Sequence, residues 1–329
     1  MGLEKPKTVV VGAGAMGCLF GGLLAEGGLD VTLIDVWKEH VDAINRDGLR
    51  SVGHGGNRTV RVRATTDPHS VTGADIVLFQ CKAHANDAAA RSVRHLIKES
   101  TAVISFQNGL GNEESLGRVL GAAHVLGGLT AQGATIVEAG VIHNYGDLPT
   151  YIGELDGGRS ERAVLIADAF SRHRLPTFAS ENIKREKWQK LLGNVALGAV
   201  SAATDLASAQ IVAVPELRAV VLRALEETAA VAQACGVTLG AAETRAIFDK
   251  LVDVSGGGTG ASKSSMAIDI AKRRPTEIDV IHGSVARLGR EHGIPTPTID
   301  TMIAIVKGLE SRNAALARSQ DAAHDRLQR

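Results

Sequence analysis

Short unbroken apolar runs recur through the first half of the chain, separated by segments whose apolar positions return every three or four residues. Lys7-Thr8-Val9-Val10-Val11, Val31-Thr32-Leu33-Ile34, the run from Ala74 to Cys81 and Thr101 to Phe106 are β-branched or apolar at successive positions. That is the pattern of strands covered on both faces in a parallel sheet. Between them Cys18 to Leu24, His40 to Asn45 and Asn86 to Ile97 carry helical spacing. The alternation predicts a doubly wound α/β sheet. Leu49 to Arg63 reads as a polar hairpin, and Val125 to Glu154, rich in Gly and Thr with short apolar runs, is expected to complete the sheet. Near Ser180 the character changes. From Ile183 onward the spacing is helical, with long Ala- and Leu-rich stretches such as Glu216 to Cys235, which predicts an all-α C-terminal domain. The expected division is residues 1–180 and 181–329. Gly256 to Gly260 reads as a flexible loop that moves on ligand binding, and the polar tail from Ser311 to Arg329 is expected to fray.

The first strand runs into Gly12-Ala13-Gly14-Ala15-Met16-Gly17. Gly12 permits a tight turn, Gly14 lets backbone approach a pyrophosphate, and Gly17 lets the next helix pack closely on the strand. The phosphates then sit on a helix N-terminus, where free N–H groups and the helix dipole balance their charge. A lone GxGxxG is weak, but here a strand precedes it, a helix follows, and Asp35 closes the second strand where a carboxylate grips ribose hydroxyls. The first domain is therefore expected to be a Rossmann-type, dinucleotide-binding domain.

Length and composition narrow the class. A chain of 329 residues holds two domains with separate cores, and 44% hydrophobic with 22% charged residues is ordinary for a globular protein. Lys plus Arg equals Asp plus Glu, which removes the electrostatic case for a nucleic-acid or membrane-surface partner. Met1-Gly2-Leu3-Glu4-Lys5 leads directly into the first strand, and no segment approaches the apolar length of a membrane span. A cytoplasmic location is expected. Cys18, Cys81 and Cys235 are odd in number and far apart, so they read as small buried residues rather than disulfides or metal ligands.

Hydride transfer to a carbonyl needs a proton donor for the developing alkoxide. A Tyr-x-x-x-Lys donor is excluded, because the positions four beyond Tyr145 and Tyr151 are Pro149 and Leu155. No Cys or His pair has the i, i+4 spacing of a zinc site on a helix. The histidines are scattered, most in hydrophilic contexts such as His69, His173 and His324. Among lysines, Lys190 and Asn194 are four apart and share a helix face, although a lysine on a helix is usually just solvated. Glu277 and Asp279 open a helix, where acids ordinarily cap.

Taken together, Gly12-x-Gly14-x-x-Gly17, Lys82 after a strand, Gln107-Asn108-Gly109-x-Gly111, Lys190-x-x-x-Asn194, Ser264-Ser265-Met266, Glu277-Ile278-Asp279 and His292-Gly293-Ile294-Pro295 resemble the ketopantoate reductases (2-dehydropantoate 2-reductases), in that family's order. The resemblance runs from Thr8 to about Glu310. It implies hydride transfer from NAD(P)H to the C2 carbonyl of a branched 2-oxo acid, in a cleft between two domains, by an enzyme that forms dimers. Lys190 then corresponds to the general acid and Glu277 to a carboxylate that binds a substrate hydroxyl and orients the lysine. Asn108 and Lys82 correspond to groups at the nicotinamide ribose and substrate edge, with Asn194 and Ser265 as substrate hydrogen-bond partners. Gly12, Gly14, Ala15, Met16, Gly17 and Asp35 complete the cofactor site.

Three departures stand out. Gly198 and Ser262 occupy positions where the family often has Asn, which removes polar contacts to ketopantoate. Asp35 replaces the basic environment that receives the 2′-phosphate of NADP, leaving only Lys38 to compensate. NAD is therefore favoured, with NADP kept open by the resemblance. These features resemble a branch of the family, NAD-dependent D-2-hydroxyacid dehydrogenases. A non-catalytic dinucleotide sensor is the alternative of another class, disfavoured by retention of Lys190, Asn194 and Glu277 together.

Overall fold

The computed structural model describes residues 4–255 and 260–327, with side chains through residue 318. It falls into two compact units: Met1–Gln107 with Gly111–Lys184, and Asn108–Leu110 with Arg185–Arg329.

The first unit contains β1 (Thr8–Val11), α1 (Ala15–Glu26), β2 (Val31–Ile34), α2 (Lys38–Asp47), β3 (Leu49–Gly53), β4 (Arg58–Val60), β5 (Arg63–Thr65), β6 (Ile76–Phe79), α3 (Asn86–Val93) and β7 (Ala102–Ser105). It continues through α4 (Asn112–Leu120), β8 (Val125–Thr130), β9 (Ala134–Glu138), β10 (Val141–Asn144), β11 (Thr150–Gly153), α5 (Glu161–Arg172) and β12 (Thr177–Ala179). Eight strands form one sheet in the order β12-β11-β8-β7-β6-β1-β2-β5. The strands from β8 to β5 run parallel, and β11 is antiparallel to β8. Successive strand residues serve opposite cores: Val10, Leu33, Leu78 and Ile104 face one cluster with α1, while Val9, Ile34, Val77 and Val103 face another with α3 and α4. Burial on both faces explains why these runs are apolar without alternation. Chain order reverses between β1 and β6, so a ligand crevice is expected at their carboxyl ends.

The Val125–Glu154 region only partly completes this sheet. β8 and β11 join it, whereas β9 and β10 leave to form a four-stranded sheet, β4-β3-β10-β9, with the hairpin of β3 and β4. The reason lies in α1. Gly17 through Leu24 are all buried, and a helix apolar all round needs cover on its outer side as well as against the main sheet. Leu49 and Ile142 of the small sheet join the same core as Leu19 and Leu23. Helix α5, capped by Ser160, and the short edge strand β12 carry weak sequence signals and were not expected.

Helix α6 (Ile183–Thr204) leads into α7 (Ser208–Ala213), α8 (Pro215–Ala234), α9 (Ala241–Val252), α10 (Ser265–Ala271), α11 (Ile278–His292) and α12 (Pro297–Leu327). Trp188, Leu192, Val195, Val221, Leu225, Val285 and Ile299 form the second unit's core. Contrary to expectation the chain beyond Ser311 stays helical to Leu327. Asn313, buried and donating to the Ile270 carbonyl at 2.8 Å, docks the helix there, and extension from a docked helix avoids the cost of nucleation. Cys18 alone of the three cysteines is buried; Cys81 and Cys235 are half-exposed. Of the glycine-rich loop, residues 256–259 lie outside the described residues. Among the described residues no helix is long and apolar enough to cross a membrane.

Candidate active site

In the first unit, the glycine turn lies at the carboxyl end of β1. Gly12 has φ +96°, and a Cβ there would stand 2.4 Å from the Cys81 backbone nitrogen. A Cβ on Gly17 would stand 1.9 Å from the Gly12 oxygen. Only glycine fits either position. Gly14 differs: nothing lies within 4 Å of where its Cβ would be. It is the N-cap of α1, with no side chain to occupy the first-turn N–H groups of Ala15, Met16 and Gly17. That open space over a helix N-terminus fits a pyrophosphate.

Asp35 is tied into this turn. Its Oδ2 accepts from Ala13 N–H at 2.7 Å and its Oδ1 from Trp37 N–H at 2.9 Å. A carboxylate has about four acceptor positions, so lone pairs remain for ribose hydroxyls. Lys38 donates to Asp42 at 2.7 Å, which engages the cation nearest in sequence to Asp35. Lys82 follows Cys81 at the carboxyl end of β6, exposed at the start of a short turn. Beneath it lies a buried polar network. Gln107 Nε2 donates to the Cys81 carbonyl and to Asn86 Oδ1, both at 2.6 Å, Ser105 donates to Gln107 at 2.9 Å, and Asn86 donates to Asn112 at 2.9 Å. Gln107, noticed in sequence only as part of a motif, thus fixes the strand end that carries Lys82.

The second unit brings Lys190, Asn108 and Glu277 together. Lys190, half-buried on α6, donates from Nζ to Asn108 Oδ1 at 3.0 Å, and Asn108 Nδ2 donates to Glu277 Oε2 at 3.0 Å. Asn108 is held by its neighbours. Gly109, at φ +82°, packs so closely on α11 that a Cβ would lie 2.0 Å from the Val280 oxygen, and Leu110 N–H donates to that same oxygen at 3.1 Å. Glu277 occupies the N-cap position of α11 without a side-chain capping bond, so its carboxylate is spent on Asn108 rather than on the helix. Burial pushes the Lys190 ammonium down to about 8, the Lys187 cation adds to this, and Glu277 opposes it. Such a group holds a proton near neutral pH yet releases it readily. Lys187, three positions before Lys190, is buried on the same helix.

Asn194, one helical turn beyond Lys190, lines a pocket of about 130 Å³ together with Ser265, Leu197, Met266 and Ile281. Gly198 and Ser262 lie on its wall too. Ser264 is structural: it caps α10, accepting from Ala267 N–H at 3.1 Å, and donates to the Gly198 carbonyl. Sequence reasoning missed His282. It is buried, its Nε2 donates to the Val195 carbonyl at 2.9 Å, and its Nδ1 has no protein partner. Burial pushes its imidazole down to about 4. A Cβ at Gly198 would meet His282 Cε1 at 3.5 Å.

Residues 8–157 match the family model described as ketopantoate reductase PanE/ApbA, and residues 182–310 match that of its C-terminal part. A 2-dehydropantoate 2-reductase of Halobacterium salinarum is 34% identical over 302 residues, spanning 92% of this chain and 98% of its own. The chain belongs to the ketopantoate reductase family. As a member it is an NAD(P)-dependent oxidoreductase, with the α/β and all-α architecture that its sequence predicts. A PanE/ApbA family ketopantoate reductase from Ralstonia eutropha superposes with a TM-score of 0.85 at 31% identity, over 93% of this chain and 99% of that one. D-mandelate dehydrogenase with NADH and anilino(oxo)acetate superposes at 0.87 with 26% identity, over the same shares.

Proposed function

We propose that this chain reduces the C2 carbonyl of a branched 2-oxo acid, 2-dehydropantoate to pantoate being the leading reaction, with Lys190 as general acid. The supporting observation is the bonded series Lys190–Asn108–Glu277. When bound, the reduced nicotinamide supplies the hydride. Lys190 gives a proton from Nζ to the C2 oxygen as the carbonyl becomes an alkoxide, and is left as a neutral amine that solvent reprotonates. Asn108 orients Nζ, and Glu277 holds Asn108 and accepts from a hydroxyl on the substrate branch. Asn194 and Ser265 bind the substrate from the pocket wall. Gly12, Gly14, Ala15, Met16 and Gly17 carry the pyrophosphate, Asp35 the adenosine ribose, and Lys82 and Asn108 the nicotinamide side. NAD is the preferred cofactor on this reading.

A second reading, an NAD-dependent D-2-hydroxyacid dehydrogenase, is favoured by one observation: Gly198 and Ser262 present little side chain to the pocket. The reading carries with it a homodimer in the cytoplasm, whose mass light scattering would give. Steady-state assay of a panel of 2-oxo acids with NADH and NADPH tests the proposal. Turnover of 2-dehydropantoate above all others supports the leading reaction, preference for apolar 2-oxo acids supports the second, and turnover of none sinks both.

A further inference from the structure

Trp37 stands two residues beyond Asp35 and is 40% exposed. The other tryptophan, Trp188, is 2% exposed. One face of the Trp37 indole lies on the His40 ring, with centroids 4.8 Å apart and planes 9° from parallel. Its backbone N–H is held by Asp35 Oδ1 at 2.9 Å. His40 is itself fixed. Its Nδ1 accepts from Gly140 N–H at 3.0 Å, so its proton is on Nε2 and points at Cys18 Sγ, 3.3 Å away. Cys18 in turn donates to the Ala13 carbonyl at 3.1 Å. Indole, imidazole, thiol and glycine turn therefore form one connected support, buried except at its outer end.

An exposed aromatic usually turns its face into a core or lies loosely on the surface. Trp37 does neither. It is clamped from below by a buried ring and from the backbone by the carboxylate assigned to the ribose, which leaves its outer face as a flat apolar platform. The base of a nucleoside lies one glycosidic bond from its ribose, so a ribose on Asp35 brings a purine to this platform.

We propose that Trp37 is the stacking shelf for the adenine base of the dinucleotide, pre-set by His40 and Cys18. This rests on the dinucleotide reading of Asp35 and the glycine turn, and adds to it a residue that governs affinity for the adenosine half alone. Stacking on a rigid ring adds affinity without ordering a loop. Because every base has a π-face, the shelf accepts hypoxanthine in place of adenine.

Calorimetric titration of the full chain with NADH, ADP-ribose and reduced nicotinamide mononucleotide tests this. Trp37→Ala should weaken NADH and ADP-ribose by about tenfold or more, the scale of a base–aromatic stack, and leave the mononucleotide unchanged. Trp37→Phe should recover most of the loss. In the Trp188→Phe variant, ADP-ribose should still quench the remaining tryptophan emission, which then comes from Trp37. Unaltered ADP-ribose affinity in Trp37→Ala overturns the shelf while leaving the dinucleotide reading intact, and an equal loss for the mononucleotide overturns it as damage to the fold. Failure of the unaltered chain to bind NADH removes the dinucleotide reading itself.

Discussion

The amine of Lys190 points at the amide oxygen of Asn108, 3.0 Å away, although 82 positions separate them in the chain. On the proposed role of Lys190 as general acid, this bond places the proton to be donated, and Glu277 holds the Asn108 amide from the other side. Lys190→Ala should therefore lower kcat by about 10²–10⁴-fold with little change in NADH affinity. Lys187 does not serve as the neutral control its sequence position suggests, because it is buried beside Lys190 and its charge acts on it. Lys250, exposed on α9, is the better control. Equal losses in Lys190→Ala and Lys250→Ala would falsify the assignment.

The depressed Lys190 amine gives the reaction a pH signature. A general acid must be protonated, so carbonyl reduction should fall as pH rises through about 8. The reverse oxidation needs the neutral amine and should rise over the same range. Lys187→Met removes a like charge, so Lys190 keeps its proton to higher pH and the falling limb of kcat/KM should move upward. Profiles from pH 6 to 10 check this; a midpoint that stays fixed or moves down rules out the influence of Lys187.

Cofactor preference should follow Asp35. A 2′-phosphate would lose the ribose hydrogen bond and meet a like charge, and Lys38 is already paired with Asp42. The expected preference for NADH over NADPH is roughly tenfold to a hundredfold, corresponding to about 1–3 kcal/mol. Asp35→Ser with Val36→Arg should reverse it. A tenfold advantage of NADPH in the unaltered protein, measured as kcat/KM, would show that Asp35 has been misread.

Substrate choice should turn on Gly198 and Glu277. If the substrate carries a hydroxyl that Glu277 accepts, ketopantoate should outperform 2-oxoisovalerate by orders of magnitude, because a site built for a hydrogen bond rejects analogues lacking it. Glu277→Gln should then close much of that gap. Gly198→Asn finds only ordinary contacts for its Cβ, with His282 Cε1 at 3.5 Å and the Met266 methyl at 3.9 Å. It should fold, narrow the pocket and shift preference towards the hydroxylated acid. Equal kcat/KM for both acids in every variant would dismiss both residues as determinants.

His282 should make the second unit sensitive to acid. Folded, it resists protonation down to about pH 4, while unfolded it titrates near 6.5. Above 6.5 both states are neutral and this contribution is complete. As pH falls towards 4 the unfolded chain takes up a proton that the folded chain refuses, so stability drops, by up to about 3 kcal/mol. His282→Gln keeps a donor that reaches the Val195 carbonyl but cannot titrate. Urea midpoints at pH 7.5 and 4.5, read from Trp188 in a Trp37→Phe background, should differ less in that variant than in its parent.

What the sequence showed and what it hid have separate physical causes. Val9-Val10-Val11 and Ile76 to Phe79 announce themselves because a strand covered on both faces must be apolar at every position. Gly12 and Gly17 announce themselves because a Cβ does not fit. The departure of β9 and β10 to a second sheet was hidden because strand partners depend on what α1 needs covered, not on the local pattern. Lys187 and His282 were hidden for a related reason. Charged and polar side chains are presumed solvated, and only the packing of α6 and α11 shows them buried. Lys190, Asn108 and Glu277 were each singled out through resemblance, which did not foresee Asn108 standing between the other two; no spacing rule joins residues so far apart.

That remoteness bears on how the protein gains and loses activity. Asn108–Leu110 is counted with the second unit although the chain on either side of it is counted with the first, and its bond to Glu277 spans 169 positions. Ribosomal synthesis delivers Asn108 long before its partners exist, so the series Lys190–Asn108–Glu277 is finished only after Glu277, at the start of α11, has emerged. A fragment beginning at Arg185 keeps every helix from α7 to α12 but lacks the amide that aims the lysine, and supplying that amide from a separate chain forfeits the advantage of a covalent tether. With Lys190 as the proposed acid, dissection of this protein at Arg185 should therefore leave neither half able to complete the series, however well each half folds.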